Sequence, residues 1–357
     1  MYAPPEGTVF GQVLDARVPL RFGTLDEDYR ALRERAAVFD LSAMGLIEIT
    51  GDAAVDFAQR VLARDVEYLV SERCMMSLVL DEAGQIVDQV VVIGREDGMI
   101  LESSCGAGPR LLAHLMAQDH PGVRITDRSA ELTVIGLEGP YAWGVVGRLI
   151  DPELPALPFE SVVDTEWEGV ELLFARTGFT GEYGYQLIVP VADAPRLWAA
   201  ALEHAQPAGL DALELAMLEV RQPVVRHEAS DGAGVVEIGA NWLLDITKDT
   251  FVGKEAVLAS FAGQGRRTIG FKGGFKGGSS SGATAVPEPG ATVTAAGQPV
   301  GTVVHAVHSF GLGSTLGLIR IDGDLAAAGL DLAVDGAEIV TLTSPYVTPK
   351  SWSVPII

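Results

Sequence analysis

Two adjacent polar residues, Asp88 and Gln89, interrupt an apolar segment of the chain. Residues 85–93 read Gln-Ile-Val-Asp-Gln-Val-Val-Val-Ile, which predicts a strand, and side chains alternate across a strand, so the two point to opposite faces. Either would lie among apolar neighbours, where an unpaired carboxylate is costly and its pKa rises. We therefore predict that a carboxylate or an amide lines a ligand cavity here. The residues alone leave open which of the two does so, and an Asp bonded to a turn near a strand edge is the alternative.

A glycine-rich turn at residues 176–185 carries a second candidate, Glu182. Its sequence is Arg-Thr-Gly-Phe-Thr-Gly-Glu-Tyr-Gly-Tyr, and glycine lets the backbone adopt positive φ and approach a ligand closely. Glu182 could accept hydrogen bonds from a flat, NH-rich heterocycle, against which Phe179, Tyr183 or Tyr185 could stack. An ordinary glycine-rich hairpin with an exposed Glu explains the pattern equally well.

Other matches to chemical motifs are weak. Residues 278–282 satisfy G-x-S-x-G, but they lie in a loop-like stretch without the strand-to-helix elbow that exposes a nucleophile. Residues 105–108 lack the third glycine and the βαβ unit of a dinucleotide site. His305 and His308 have no Cys or His cluster near them in the sequence. We therefore predict that these two are structural or contact substrate, and that the chain has no metal site.

The elements that must position these residues follow from hydrophobic periodicity. Helices are predicted at residues 26–38, 55–62, from 109, 193–204, 212–220 and from 253. Strands are predicted at residues 46–50, 75–80, 85–93, 99–102, 172–175, 185–189, 300–304, 316–321 and 338–343. A linker or surface loop is predicted at 277–290, where Gly, Ser and Pro accumulate. Because strands and helices mix without regular βαβ alternation, we predict an α+β fold.

Composition narrows the class of protein. The chain has 357 residues, of which 48% are hydrophobic, and a formal charge of −23; such a chain can bury a sizeable core and is not disordered throughout. Its negative charge opposes phosphate backbones, so no nucleic-acid partner is expected. It has only two cysteines, its opening residues lack a basic start and an apolar run, and no apolar run is long enough for a bilayer. We therefore expect a cytoplasmic protein with no signal peptide and no membrane partner.

Several segments, in order along nearly the whole chain, resemble the aminomethyltransferase family, which comprises the T-protein of the glycine cleavage system and its folate-dependent demethylase relatives. The most specific match is residues 176–184, which are similar to the family's R-T-G-Y-T-G-E-x-G. The other matching segments are residues 39–45 (F-D-V-S-H-M-G in the family), 84–89 (G-G-x-x-D-D), 218–228 (L-E-A-G-L-P-L-Y-G-H-E), 237–242 (E-A-G-L-G-W) and 251–256 (F-I-G-K-E-A).

The resemblance implies a three-lobed cloverleaf around a central funnel, with two interleaved α+β lobes in residues 1–260 and a C-terminal β-barrel in residues 261–357. It also implies tetrahydrofolate as the cofactor, bound in the funnel, and a small methylated metabolite as the substrate. The implied cofactor-binding residues are Glu182, which would hydrogen-bond the pterin ring, Ser103, Tyr183 and Met76; the catalytic residues are Asp88 and Gln89; and the substrate-binding residues are Arg221, His305 and His308.

The chain departs from the family's pattern at positions of expected ligand contact. Gln89 replaces the second carboxylate of the D-D pair, and an amide cannot shuttle a proton at neutral pH. Leu213 replaces an Arg, Ser103 an Asn and Arg221 a Gly.

Three functions are open on these residues. The first is a tetrahydrofolate-dependent one-carbon transferase or demethylase. The second is a repurposed family member in specialised metabolism, with different or folate-independent chemistry. The third is a non-catalytic folate- or metabolite-binding protein, which we rank below the two enzymes.

Overall fold

The computed structural model describes residues 4–263, 265–274 and 286–357. The G-x-S-x-G match at 278–282 and most of the loop predicted at 277–290 lie outside these ranges. The α-helices are α1 (Leu25–Glu34), α2 (Ala54–Val61), α3 (Gly108–Met116), α4 (Ala142–Leu149), α5 (Ala194–Leu202), α6 (Leu210–Val220), α7 (Val225–Glu228), α8 (Val235–Ile238) and α9 (Lys254–Phe261). Short 3-10 turns lie at Leu154–Ala156, Asn241–Leu243, Gly323–Leu325 and Lys350–Trp352.

The strands that precede the last α-helix are β1 (Val9–Val13), β2 (Ala16–Arg21), β3 (Ala37–Asp40), β4 (Met44–Thr50), β5 (Cys74–Leu80), β6 (Ile86–Arg95), β7 (Gly98–Cys105), β8 (Arg124–Asp127), β9 (Leu132–Glu138), β10 (Val162–Trp167), β11 (Val170–Ala175), β12 (Gly184–Pro190) and β13 (Gln206–Pro207). The strands that follow it are β14 (Arg266–Gly273), β15 (Thr292–Ala295), β16 (Gln298–Ser309), β17 (Ser314–Asp322), β18 (Asp331–Val334) and β19 (Ala337–Leu342).

These strands form three main bodies. One sheet has the order β5-β6-β7-β4-β8, a second has the order β10-β11-β12-β9-β3-β13, and β14 to β19 close into a six-stranded barrel. The first sheet is inserted in the chain between β3 and β9 of the second, so the two are interleaved in sequence. Among the described strands, pairing is antiparallel except between β13 and β3. The predicted α+β class and the C-terminal barrel are confirmed.

The helix predicted at residues 26–38 ends earlier than expected. It starts as the acidic first turn suggests, because Thr24 and Glu27 form a capping box: Glu27 N donates to Thr24 Oγ1 at 3.2 Å and Thr24 N donates to Glu27 Oε2 at 2.8 Å. The helix stops at Glu34, and the apolar residues that follow are buried as strand β3, which pairs with β9. The pairing with a distant strand outweighs the local helical spacing.

Each sheet buries its two faces against different partners. The outer face of the five-stranded sheet packs on α2 and α3, and the outer face of the six-stranded sheet packs on α4 and α5. The inner faces share one core with α1 and α6, in which Val91 and Leu213 are fully buried. This shared core lies in the middle of the molecule, where the two sheets and α6 come together.

The glycines of the loop at residues 176–185 let two backbone segments touch. A Cβ on Gly184 would lie 2.6 Å from the Cα of Gly178, and a Cβ on Gly178 would lie 2.8 Å from the Cα of Gly184. Because both obstacles are backbone atoms, neither can move aside cheaply. The close approach seen here is between two parts of the chain rather than between the chain and a ligand.

We expect Gly184→Ala to destabilise the protein by about 1–3 kcal/mol, since the added methyl group overpacks this crossing. The matched control is Gly144→Ala in α4, where a Cβ meets no atom within 4 Å; its effect should be neutral or stabilising by up to about 1 kcal/mol. Thermal unfolding of both variants measures the difference. Equal melting temperatures would contradict this account of the loop.

Candidate functional site

A cavity opens between the inner face of the five-stranded sheet, the helices α6 and α7, and the glycine-rich loop. Its apolar lining includes Met44, Val90, Val91, Phe179, Leu210, Leu213, Met217, Pro223, Val224 and Val225. Its polar lining is Gln89, Glu102, Ser103, Ser104, Glu214 and Arg226, with Cys105 beside them. A mainly apolar cavity with few polar groups is typical of a small-molecule site.

The register of β6 and β7 brings Gln89 and Glu102 to the same wall. Val91 of β6 lies directly opposite Glu102 of β7, and Gln89 lies two residues before Val91 on the same face. Of the predicted pair, Gln89 therefore lines the cavity, whereas Asp88 does not. The predicted strand alternation determines this outcome, once the structure shows which face of the sheet the cavity occupies.

Glu102 is the least satisfied carboxylate in this wall. Its Oε1 accepts a hydrogen bond from Gln186 Nε2 at 2.9 Å, and its Oε2 is buried without a partner among the described residues. The second amide atom of Gln186, Oε1, is also buried and unpartnered there. Burial raises the pKa of Glu102 to about 8, with the Gln186 hydrogen bond opposing the shift. At neutral pH the group therefore holds a proton in the absence of a ligand.

Gln89 supplies a third unsatisfied acceptor. Its Oε1 is buried without a partner in the described part of the chain, and its Nε2 makes only a weak contact with Met76 Sδ at 3.9 Å. Met76 does not line the cavity; its sulfur also lies 3.4 Å from Gln222 Nε2. Buried polar groups in proteins are normally paired. Gln89, Glu102 and Gln186 thus each carry a buried oxygen without a partner among the described residues. Once Glu102 is ionised, these oxygens can accept hydrogen bonds from a donor-rich ligand.

Asp88 is fully buried and is bonded to the strand beside it. Its carboxylate accepts hydrogen bonds from Gln89 N at 2.9 Å, from Ser104 N at 3.2 Å and from the Ser104 hydroxyl. Burial raises the pKa of Asp88 to about 6, and the bonds from Ser104 oppose that rise. Because Ser104 lines the cavity, Asp88 can act on a ligand only through this hydroxyl. Ser103 also lines the cavity, where its Oγ accepts a bond from Gly45 N at 2.8 Å.

Glu182 lies outside this cavity lining, in a buried ion-pair network. Its Oε1 accepts hydrogen bonds from Arg33 Nη1 at 3.1 Å and Lys350 N at 3.0 Å, and its Oε2 accepts one from Ser351 N at 2.8 Å. Both oxygens thus accept bonds from the chain itself, and none of these bonds comes from a residue that lines the cavity. Tyr183 is likewise turned away, since its hydroxyl donates to Val354 O at 2.7 Å. The geometry gives both residues a structural role, as the tie between the loop and the C-terminal segment.

Glu138 positions the remaining part of the glycine-rich loop. It is fully buried and accepts hydrogen bonds from Phe179 N at 3.0 Å, Thr180 N at 3.1 Å and the Thr180 hydroxyl. Burial raises the pKa of Glu138 to about 7, and these bonds oppose the shift. The bonds hold Phe179 against the cavity, where it forms part of the wall.

The three residues expected to bind substrate are not in the cavity lining. Arg221 pairs with Glu228 Oε2 at 2.8 Å and donates to Ile238 O. His308 packs edge-on against Phe310, with 5.3 Å between ring centroids. His305 stacks on His227, with 4.4 Å between ring centroids and 7° between ring planes. His305 is linked to the cavity wall through His227, which is bonded to Glu214, and Arg221 is linked to it through Glu228, which accepts a bond from Val224 N.

Five polar residues of the site escaped the sequence reasoning: Glu102, Ser104, Gln186, Glu214 and Arg226. The sequence could have identified Glu102, because this acidic residue ends the predicted apolar strand Met-Ile-Leu-Glu, much as Asp88 lies within another predicted apolar strand. No local pattern identifies Arg226, because its role depends on where α7 packs. Among the described residues, no group of three His, Cys, Asp or Glu is arranged to hold a metal ion. In the same ranges, no helix combines the length and the apolarity that a membrane span requires.

Comparisons with known proteins agree with this architecture. Residues 4–248 match the family model described as the GCVT N-terminal domain, and residues 271–350 match that described as the CAF17 C-terminal beta-barrel domain. The aminomethyltransferase of Geobacillus kaustophilus is 32% identical over 328 residues, which cover 89% of this chain and 88% of that protein. The aminomethyltransferase of Halalkalibacterium halodurans is 28% identical over 351 residues, which cover 95% and 94% of the two chains.

A solved structure extends the comparison to the fold. The crystal structure of glycine cleavage system aminomethyltransferase T from Bartonella henselae superposes with a TM-score of 0.84, over 96% of this chain and 95% of that one, at 20% identity. The predicted three-lobed fold with a C-terminal barrel is therefore confirmed. The family model over residues 4–248 and the 32% identical relative confirm the family resemblance that rests on the short motifs.

Proposed function

The chain belongs to the aminomethyltransferase family, and from this premise we propose that it transfers a one-carbon group between a small methylated metabolite and tetrahydrofolate bound in the central cavity. The observation that carries the proposal is the set of buried oxygens on Glu102, Gln186 and Gln89 that have no partner within the described ranges, which can accept hydrogen bonds when Glu102 is ionised. An aminopyrimidine edge offers parallel N–H donors, and a carboxylate can accept two such bonds. The residues present therefore fit a reduced pterin, at Glu102 rather than at Glu182.

The side chains of the cavity have distinct parts in this proposal. Glu102, oriented by Gln186, would hold the N–H edge of the ring, and the apolar wall formed by Val91, Leu213 and other residues would exclude water. When bound, tetrahydrofolate would supply the nitrogen that exchanges the one-carbon unit. Holding the two reactants in one cavity would contribute much of the rate acceleration.

Proton handling falls to Asp88 and Ser104. The Ser104 hydroxyl donates to Asp88 at the cavity wall, so Asp88 can accept that proton while Ser104 takes one from the substrate. Asp88 is thus a positioning residue that acts through Ser104. Gln89 would orient the substrate, because its amide can donate and accept but cannot transfer a proton at neutral pH.

We expect tetrahydrofolate binding to strengthen as the pH rises from 6 to 8. The pKa of Glu102 is about 8 without ligand, and the N–H donors of the pterin need the ionised carboxylate. Each pH unit below 8 should therefore weaken the affinity by about tenfold, and binding at pH 7 should release about one proton.

Anaerobic isothermal titration calorimetry at several pH values tests both statements, with two buffers of different ionisation enthalpy at pH 7 to count the protons. An affinity that stays constant from pH 6 to 8 would remove Glu102 as the pterin partner. The absence of any tetrahydrofolate binding at millimolar concentration would remove the proposed function itself.

A non-catalytic binding protein is the second candidate. It is favoured by Gln89, which stands at the cavity wall and supplies no proton-transferring group there. Steady turnover of an N-methylated substrate by the purified protein excludes this candidate, because a binding protein forms no product.

A further inference from the structure

A second polar cluster lies on the wall of the cavity that α6 and α7 form, away from the β6–β7 wall. Glu214 of α6 and Arg226 of α7 both line the cavity. Arg226 Nε donates to Glu214 Oε1 at 2.8 Å, and Arg226 Nη2 donates to Glu214 Oε2. Two parallel bonds of this kind fix the plane of the guanidinium group.

Glu214 is itself bonded to the imidazole of His227, on which a second imidazole stacks. His227 Nε2 lies 3.1 Å from Glu214 Oε2, and His305 of the barrel strand β16 stacks on the His227 ring. Burial alone would raise the pKa of Glu214, but the bond from His227 and the charge of Arg226 outweigh burial and keep that pKa below its ordinary value. Glu214 is therefore a fixed carboxylate that orients Arg226.

Arg226 retains unused donors on the side away from Glu214. A guanidinium group has five N–H donors, and the two bonds to Glu214 use one on Nε and one on Nη2. Within the described ranges, Nη1 of Arg226 has no hydrogen-bond partner, and 28% of the side chain is exposed. Arg33 is the contrast: all three of its nitrogens donate to protein groups. Arg226 thus presents its Nη1–Nη2 end as a ready site for a further acceptor.

Arg226 is the only cation among the residues that line this cavity in the described part of the chain. We propose that the Nη1–Nη2 end of Arg226 binds a carboxylate group of the ligand, an assignment that rests on the proposed function. The end-on geometry matches a carboxylate, which can accept one bond from each nitrogen. That carboxylate belongs either to the glutamate tail of the folate or to an amino-acid substrate. In both cases Glu214, His227 and His305 are positioning residues.

Two matched pairs of ligands distinguish whether the bound carboxylate belongs to folate or to an amino-acid substrate. The first pair is tetrahydrofolate and 6-methyltetrahydropterin, which lacks the glutamate tail. The second is N-methylglycine and N-methylethylamine, which has a methyl group in place of the carboxylate. We expect Arg226→Met to weaken binding of the carboxylate-bearing member of one pair by about 10- to 100-fold, as for the loss of a charge-assisted hydrogen bond. Binding of its matched partner should change less than about threefold.

The controls separate recognition from stability. Arg226→Lys keeps the charge but loses the bidentate fork, so it should recover only part of the affinity. Arg196→Met removes a surface arginine that pairs with Glu168 and Asp193, and it should leave all four affinities unchanged. Melting temperatures of each variant report whether the fold persists.

An Arg226→Met variant that weakens both members of each pair equally, or neither member, overturns the proposal, since a merely structural Arg would not discriminate. If the unaltered protein binds no tetrahydrofolate, the proposed function fails, and the N-methylglycine pair alone decides the role of Arg226. If the unaltered protein binds neither carboxylate-bearing ligand, the assignment of Arg226 fails as well.

Discussion

Replacement of Glu102 by Gln is expected to weaken tetrahydrofolate binding by about 10- to 100-fold and, at the same time, to stabilise the unliganded protein at alkaline pH. The loss of affinity follows from the loss of a charged acceptor in a buried site, which corresponds to about 1.5–3 kcal/mol. The gain in stability follows because Glu102 has no charge partner: only Gln186 bonds it, and its Oε2 is unpaired in the described part of the chain.

The sign of the stability effect depends on pH. The pKa of Glu102 is raised by burial to about 8 in the folded protein, against an ordinary value of 4.5. Between these two values the folded state holds a proton that the unfolded state has lost, so the free energy of unfolding falls as the pH rises from about 4.5 to about 8. The linkage amounts to roughly 3–5 kcal/mol. Gln carries no such penalty, so the variant should be more stable above pH 8, and this advantage should shrink as the pH falls towards 4.5.

Melting temperatures at pH 5 and pH 9, with calorimetric titrations of tetrahydrofolate, test both halves of the expectation. Glu171→Gln is the matched control, because Glu171 is an exposed strand residue outside the cavity lining, and it should change neither quantity. Stability lost together with affinity would mean that Glu102 supports the fold. That result would contradict our expectation that Glu102 serves binding and destabilises the unliganded fold.

Replacement of Arg33 by Met should be the most destabilising single change among those considered. Arg33 pairs with Glu182 at 3.1 Å and with Glu219 at 3.0 Å, and its side chain is 7% exposed. It also donates to the carbonyls of Thr180 and Ala216. Removing it leaves two buried carboxylates without their cation, which costs about 3–5 kcal/mol. For a chain of this length the melting temperature should fall by about 5 °C.

Arg30→Met provides the comparison within the same helix. Arg30 lies one turn earlier in α1, is 62% exposed and pairs only with Asp26 among the described residues, so its loss should cost less than about 1 kcal/mol. Thermal and urea unfolding of both variants measure the difference. Similar losses for the two would show that the buried network does not tie α1 to the rest of the protein.

Local patterns predicted the elements of the site well. The hairpin of β5 and β6, the strand β7 and the helix α6 all lie where alternation or helical spacing placed them. The opposite orientation of Asp88 and Gln89 also follows from alternation alone. The reason is that side-chain direction in a strand is a property of neighbouring residues.

The glycine-rich motif shows the limit of predicting a site from local sequence patterns. It identified the loop at 176–185 as important, yet the carboxylate inside it, Glu182, is bonded to Arg33 and to backbone groups 168 and 169 residues away. The polar residue of this region that reaches the site is Gln186, which lies in β12 and bonds Glu102 across the two sheets. Glu182 precedes β12, so the loop and its distant partners set the direction of its side chain, and strand alternation does not.

By itself, the sequence determined the α+β class, the order of the elements, the family resemblance and the opposite orientation of the two polar residues in β6. Only the tertiary structure decided which acceptors are left unpaired, that Glu182 belongs to an ion-pair network, and that Arg226 faces the cavity. The physical reason is the separation along the chain over which each effect acts. Periodicity and turn chemistry depend on residues only a few positions apart. By contrast, burial, pKa shifts and hydrogen-bond satisfaction depend on groups brought together from distant parts of the chain.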